Sequence, residues 1–127
     1  MKTQAKIWFD LAEEDYQNAL LLWENHRYGG AVFFAQQSVE KILKAFIVEH
    51  MSKIPRKSHR IETLVEDAGL DLAEIDNLEV IELSKAYTRV RYPDLNKKYF
   101  SAKARVEPLI VMTHTIYSWV KNKLTKH

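Results

Sequence analysis

The sequence predicts an all-α protein, an antiparallel up-and-down bundle of four long helices and one short helix. Three observations point there. Glycine and proline occur three times each in 127 residues, too seldom for the turns of a β-rich domain. Apolar residues recur at three- and four-residue steps over segments of about twenty residues, the period of a helix and not of a strand. No internal repeat or low-complexity segment interrupts the pattern.

Each element follows from local signals. The first helix is expected from about Thr3 to Asn25, because Trp8, Leu11, Ala12, Ala19, Leu22 and Trp23 share one stripe, with Asp15 among them. Arg27–Gly30 reads as the turn, with Gly29 and Gly30 free to take positive φ. A second helix, from about Ala31 to Met51, carries a wide apolar surface and a narrow polar strip of Gln36, Gln37, Glu40, Lys41 and Lys44. Such a helix belongs at the centre of a bundle. Pro55 falls in a basic loop, Ser52–Lys57. Ser58 is placed to cap a short helix running to about Ala68, which Gly69 ends. Asp71-x-x-Glu74 and Asp76-x-x-Glu79 both have capping-box spacing. A fourth helix follows to about Val90, with Val80, Leu83, Tyr87 and Arg91 on its inward stripe. Tyr92–Pro93 breaks it. The last helix shows the clearest stripe: Val106, Leu109, Ile110, Thr113, Ile116, Tyr117, Val120 and Leu124. Pro108 requires that helix either to kink or to become regular only near Arg105.

The chain, 14.9 kDa, has the size of a single domain over residues 1–127. Cysteine is absent, which excludes disulfides and thiolate zinc sites. The five histidines do not form the paired spacing of a metalloprotease helix. No apolar run approaches a membrane span, and the first fifteen residues turn acidic where a signal peptide would be apolar. A soluble cytoplasmic protein is therefore expected. No phosphate loop, dinucleotide fingerprint or carboxylate metal cage is spelled out, so no cofactor or metal is expected. No nucleophile, base and orienting group can be named together.

The net charge of +2 averages unlike blocks. Ile61–Ser84 holds eight acidic residues and no basic one, whereas Lys85–Arg105 holds seven basic residues and only Asp94 as acid. A basic block beside an acidic one points to an anionic ligand at one face, or to a solvated helix surface. Three clusters bear on this. Gln36, Gln37, Glu40, Lys41 and Lys44 form either a solvent strip or a polar seam from which the two lysines reach a phosphate. Ser58-His59 is either a capping turn or, with Lys57 and Arg60, an anion site. In Tyr87–Tyr99, aromatic rings alternate with Arg89, Arg91, Lys97 and Lys98. Rings that stack on bases and cations that hold phosphates suit single-stranded nucleic acid. Equally, Arg91 could tie the helix end to Asp15 or Glu40.

These residues resemble a family. Trp8, Ala12, Asp15 and Ala19, then Tyr28-x-x-Ala31 and Phe34-Ala35-Gln36-Gln37-x-x-Glu40-Lys41-x-x-Lys44-Ala45, are similar to the first two helices of the HEPN domain (higher eukaryotes and prokaryotes nucleotide-binding). Pro55-x-x-x-His59, Leu83-x-x-x-Tyr87 and Arg91-Tyr92-Pro93 continue the likeness, which runs from about Trp8 to Val120. The resemblance implies a helical bundle that dimerises and is often encoded beside a minimal nucleotidyltransferase as a toxin–antitoxin pair. Active members are metal-independent ribonucleases. Their motif is an arginine and a histidine separated by four to six intervening residues, with two copies meeting across the dimer.

Arg91 matches that arginine. The histidine is missing: the places it would occupy hold Asn96, Lys97 and Lys98, and no histidine lies between His59 and His114. Asparagine at position 96 cannot transfer protons near neutral pH. With Arg91 and Asn96 in the catalytic places, the ribonuclease motif is incomplete. The resemblance then implies RNA or nucleotide binding at a dimer cleft around Arg91, with Lys41, Lys44, His59, Arg89, Tyr92, Lys97 and Lys98 as binding residues. Tyr99 stands near the place of a tyrosine that is adenylylated in some members. The alternative is a non-catalytic helical dimer that serves as scaffold or partner module.

Overall fold

Ala5, Ala12 and Ala19 recur at seven-residue steps along one face of α1 (Thr3–Glu24), and all three are buried. Small side chains there let α1 lie close against α2 (Tyr28–Met51). The computed structural model describes residues 1–126 and holds no strand among them. α1 and α2 are antiparallel: Lys2 meets Glu49, Asp15 meets Lys41, and Leu22 meets Gly30.

The turn between them differs from expectation. α2 starts at Tyr28, so Gly29 and Gly30 lie inside its first turn and the connection is only Asn25–Arg27. Positive φ falls on His26, at 59°, and on neither of these glycines. The glycines supply space instead. A Cβ on Gly29 would stand 2.9 Å from Oδ1 of Asn96, and one on Gly30 would stand 3.0 Å from Leu22.

α2 is the central helix, as its wide apolar surface requires. Val32, Val39, Ile42, Leu43 and Ile47 are wholly buried within this one chain. That surface is taken up by the chain's own core.

The short helix, α3 (Ile61–Asp67), begins later than Ser58 suggests. Ser58 accepts from the Arg60 amide within a turn, and the Ile61 amide donates across the fold to Ser84 of α4 (Val80–Arg89) at 2.7 Å. Gly69, at φ +67°, ends the segment as expected. Asp71 caps a four-residue 3₁₀ turn, Leu72–Ile75, but Asp76 closes that turn in a left-handed conformation and opens no helix.

α4 stops at Arg89, before Arg91. Arg91 is exposed, not inward, because helical register no longer governs it. Pro93 does more than break α4. Its missing N–H is harmless at the first helical position, and it opens a further helix beyond the five expected, α5 (Pro93–Phe100). α6 (Lys103–Thr125) carries Pro108 in its second turn and buries the expected stripe, with Leu109 at its half-buried edge. α6 packs on α2 and runs antiparallel to α1. Lys121 bonds Glu13 at 2.6 Å, while the Tyr16 and Tyr117 rings stack with centroids 4.2 Å apart. Among the described residues no helix is long and apolar enough to cross a membrane.

Candidate functional site

The polar residues of α2 do not form a solvent strip. Gln36, Glu40 and Lys44 are only 1%, 4% and 6% exposed. Four-residue spacing places them on one face, and that face meets the loop before α3. Carboxylates are seldom buried without partners, and Glu40 has several. It accepts from Lys44 Nζ at 2.9 Å and from Gln36 Nε2 at 3.2 Å. It also accepts from His59 Nδ1 at 3.1 Å. Gln36 donates as well to the His59 backbone carbonyl, at 2.9 Å. Two residues of α2 thus hold one histidine by its ring and by its main chain.

The outer part of the site is aromatic. The His59 ring stacks on Tyr87 of α4 with centroids 3.8 Å apart and planes 10° from parallel. The Arg91 guanidinium lies over the same ring, 4.2 Å from its centroid. With one face of Tyr87 covered by His59, the guanidinium occupies the other. Histidine and arginine, 32 positions apart in sequence, are separated here by one phenol ring. A cleft of about 690 Å³ opens beside them, lined among others by Lys57, His59, Arg60, Ser84, Lys85 and Tyr87.

This arrangement has definite chemical capacity. A carboxylate only accepts, so Glu40 selects the His59 form protonated on Nδ1. The neutral ring then keeps its lone pair on Nε2, which suits proton transfer to or from a ligand. Arg91 adds a fixed cation and a planar surface.

A family model described as HEPN domain matches residues 5–123. The chain belongs to the HEPN family. Its bundle is similar to the crystal structure of TT1696 from Thermus thermophilus. The two are 24% identical, with a TM-score of 0.74 over 96% of this chain and 99% of the other. That likeness shows a shared fold. No curated protein matches the sequence.

The HEPN bundle sorts the expected residues into two groups. His59 and Arg91 come together around Tyr87, whose role the sequence reading did not recognise. Tyr92, Lys97 and Lys98 are exposed nearby, on and before α5. The others are engaged inside the chain. Lys41 bonds Asp15 at 2.6 Å, and Lys44 bonds Glu40. Neither the Asp15 nor the Glu40 tie drawn for Arg91 forms, because lysines hold both carboxylates. Arg89 bonds Glu82 at 3.2 Å and covers the Tyr99 ring at 3.9 Å. Lys85 donates to Glu82 at 3.2 Å and, with Arg89, holds that carboxyl below its ordinary range against the opposing effect of burial. The acidic and basic blocks thus partly cancel each other at α4.

Asn96 donates to the Val90 carbonyl at 2.8 Å and packs on Gly29. It holds the α4–α5 junction to the start of α2. The described residues contain no cluster of three metal-ligating side chains. The sequence did carry one signal for the buried network, the Gln36-x-x-x-Glu40-x-x-x-Lys44 spacing. Nothing local tied it to His59.

Proposed function

We propose that this HEPN protein binds RNA or a nucleotide at the surface built on His59, Tyr87 and Arg91, as one half of a homodimer. The observation that carries the reading is the Tyr87 sandwich beside a cleft rimmed by Lys57, Arg60 and Lys85. Cations attract phosphates, and exposed rings and guanidinium planes accept bases. Lys97, Lys98 and Tyr92 extend the same charge and aromatic character along α5. Family membership supports the dimer and a place in a toxin–antitoxin or stress-response pair with a minimal nucleotidyltransferase. Tyr99 remains the proposed modification site.

A second reading, a non-catalytic scaffold or partner module, is favoured by Asn96. Its amide is spent on the Val90 carbonyl, so the position that would carry the ribonuclease histidine does structural work here. His59 is the group in this site whose chemistry allows proton transfer.

Affinity for a short single-stranded RNA, measured against salt, tests the proposal. Binding should weaken linearly on a log–log plot. Arg91→Ala should lower affinity and reduce the slope by about one unit. Because Arg91 is exposed, Tm should change little. Equal RNA binding by Arg91→Ala, or no binding at low salt, would refute the reading and favour the scaffold.

A further inference from the structure

Among four clefts in the described surface, one differs in charge. It lies between the start of α1, the end of α2 and the loop at residues 52–57. Five cations line it, Lys2, Lys44, Lys53, Arg56 and Lys57, with no carboxylate. Each of the other three includes at least one glutamate. The walls of this cleft are nevertheless apolar, formed by Trp8, Val48, Ile54 and Pro55. Ile54 is 93% exposed, an unusual position for a large aliphatic side chain beside a concave surface. The volume, about 700 Å³, falls in the range of small-molecule sites.

The rim is fixed by specific bonds. Lys2 Nζ donates to Ser52 Oγ at 2.7 Å and to the Val48 carbonyl at 3.3 Å, which fastens the start of α1 to the end of α2. Ser52 turns the chain out of α2 at φ 50°. Arg56 forks onto Asp67 through two bonds of 2.8 Å, which anchors the far end of the loop. Lys53 lies between these anchors and Lys57 just beyond the second, and neither forms an ion pair among the described residues. At the inner wall the Lys44 ammonium has three donors. It directs one to Glu40, at 2.9 Å, and lies 5.2 Å from the centre of the Trp8 ring.

We propose that this cleft binds an amphiphilic organic anion, an acyl or aryl body that carries a phosphate or carboxylate. The body covers Ile54 and Trp8. The acidic head meets Lys53 and Lys57, with Lys44 behind them. Inorganic phosphate would leave Ile54 in water, and a neutral apolar molecule would leave the cations unanswered. The site goes beyond the RNA-binding reading and shares only Lys57 with the cleft at His59.

Calorimetric titration with octyl phosphate below its micellar concentration tests the proposal, with octanol and inorganic phosphate as partial probes. One-to-one binding is expected, with a shift of the Trp8 indole N–H resonance. Each partial probe should bind at least about tenfold more weakly, phosphate because it buries no aliphatic surface and octanol because it brings no charge to the lysines. Ile54→Asp should weaken binding about tenfold and Lys53→Glu about fivefold. Both positions are on the open loop, and unchanged circular dichroism confirms that the variants fold. The proposal is overturned by absent binding, by octanol or phosphate binding equally well, or by indifference to both substitutions. Attachment to anionic vesicles without uptake of the soluble amphiphile would also overturn it and would assign the patch to a membrane surface.

Discussion

Replacing Glu40 by Leu tests whether the polar strip of α2 is a buried structural network. The carboxylate is almost wholly buried and, among the described residues, is the only anion bonded to Lys44, itself 6% exposed. Removing one partner of such a pair leaves the other charged in a poorly solvated place, at a cost of about 3–5 kcal/mol. Gln36 adds little to that figure, because it keeps its bond to the His59 carbonyl. An unfolding entropy of about 2.1 cal/mol/K per residue over 127 residues makes each kcal/mol worth about 4 °C. Thermal denaturation should therefore show Tm falling by about 11–19 °C in Glu40→Leu. Glu40→Leu with Lys44→Met removes both charges and should recover most of the loss, since an apolar replacement of a buried pair is often neutral. Lys6→Ala, which breaks an exposed pair with Asp10, should cost less than about 0.5 kcal/mol. A loss below about 1 kcal/mol in Glu40→Leu, or additive losses in the double variant, would refute the reasoning.

Two further predictions follow from packing and titration. Gly29→Ala places a methyl against a fixed amide and should destabilise by about 1–2 kcal/mol even though alanine favours a helix. Asn96→Ala in the same chain should relieve part of this, as chemical denaturation would show. Burial first, and then its hydrogen bond to Glu13, push the Tyr117 hydroxyl above the ordinary tyrosine range. A raised native value favours the protonated form, so its stabilisation is complete below about pH 10 and declines as pH rises beyond. Ultraviolet titration should show a late-ionising component that disappears in Tyr117→Phe.

The site was partly legible. Arg91, Tyr92, Lys97 and Lys98 were picked out by a local mixture of cations and rings, and they are accessible where the structure places them. Gln36, Glu40 and Lys44 were recognised as one face by their spacing. Their environment was misread because helical spacing says which residues share a side and not what covers it. The cover is the loop before α3, a contact made 19 residues further along the chain from Glu40. The Lys41 bond to Asp15 was hidden for the same reason, since Asp15 reaches it from another helix.

By itself the sequence determined the helical class, the central place of α2, the stripe of α6 and the family. Each is a periodic or motif property, written in residues a few positions apart. Even the absent histidine near position 96 is a fact of sequence. Tertiary structure decided what distance along the chain conceals. It placed Asn96 against Gly29, which made the glycine pair a matter of room instead of φ. It carried Arg91 off the inward stripe by ending α4 two residues earlier. It also brought His59 across Tyr87 from Arg91, with Glu40 behind it. Hydrogen bonds and ring stacking act over a few ångströms, and only the folded chain sets which side chains come that near.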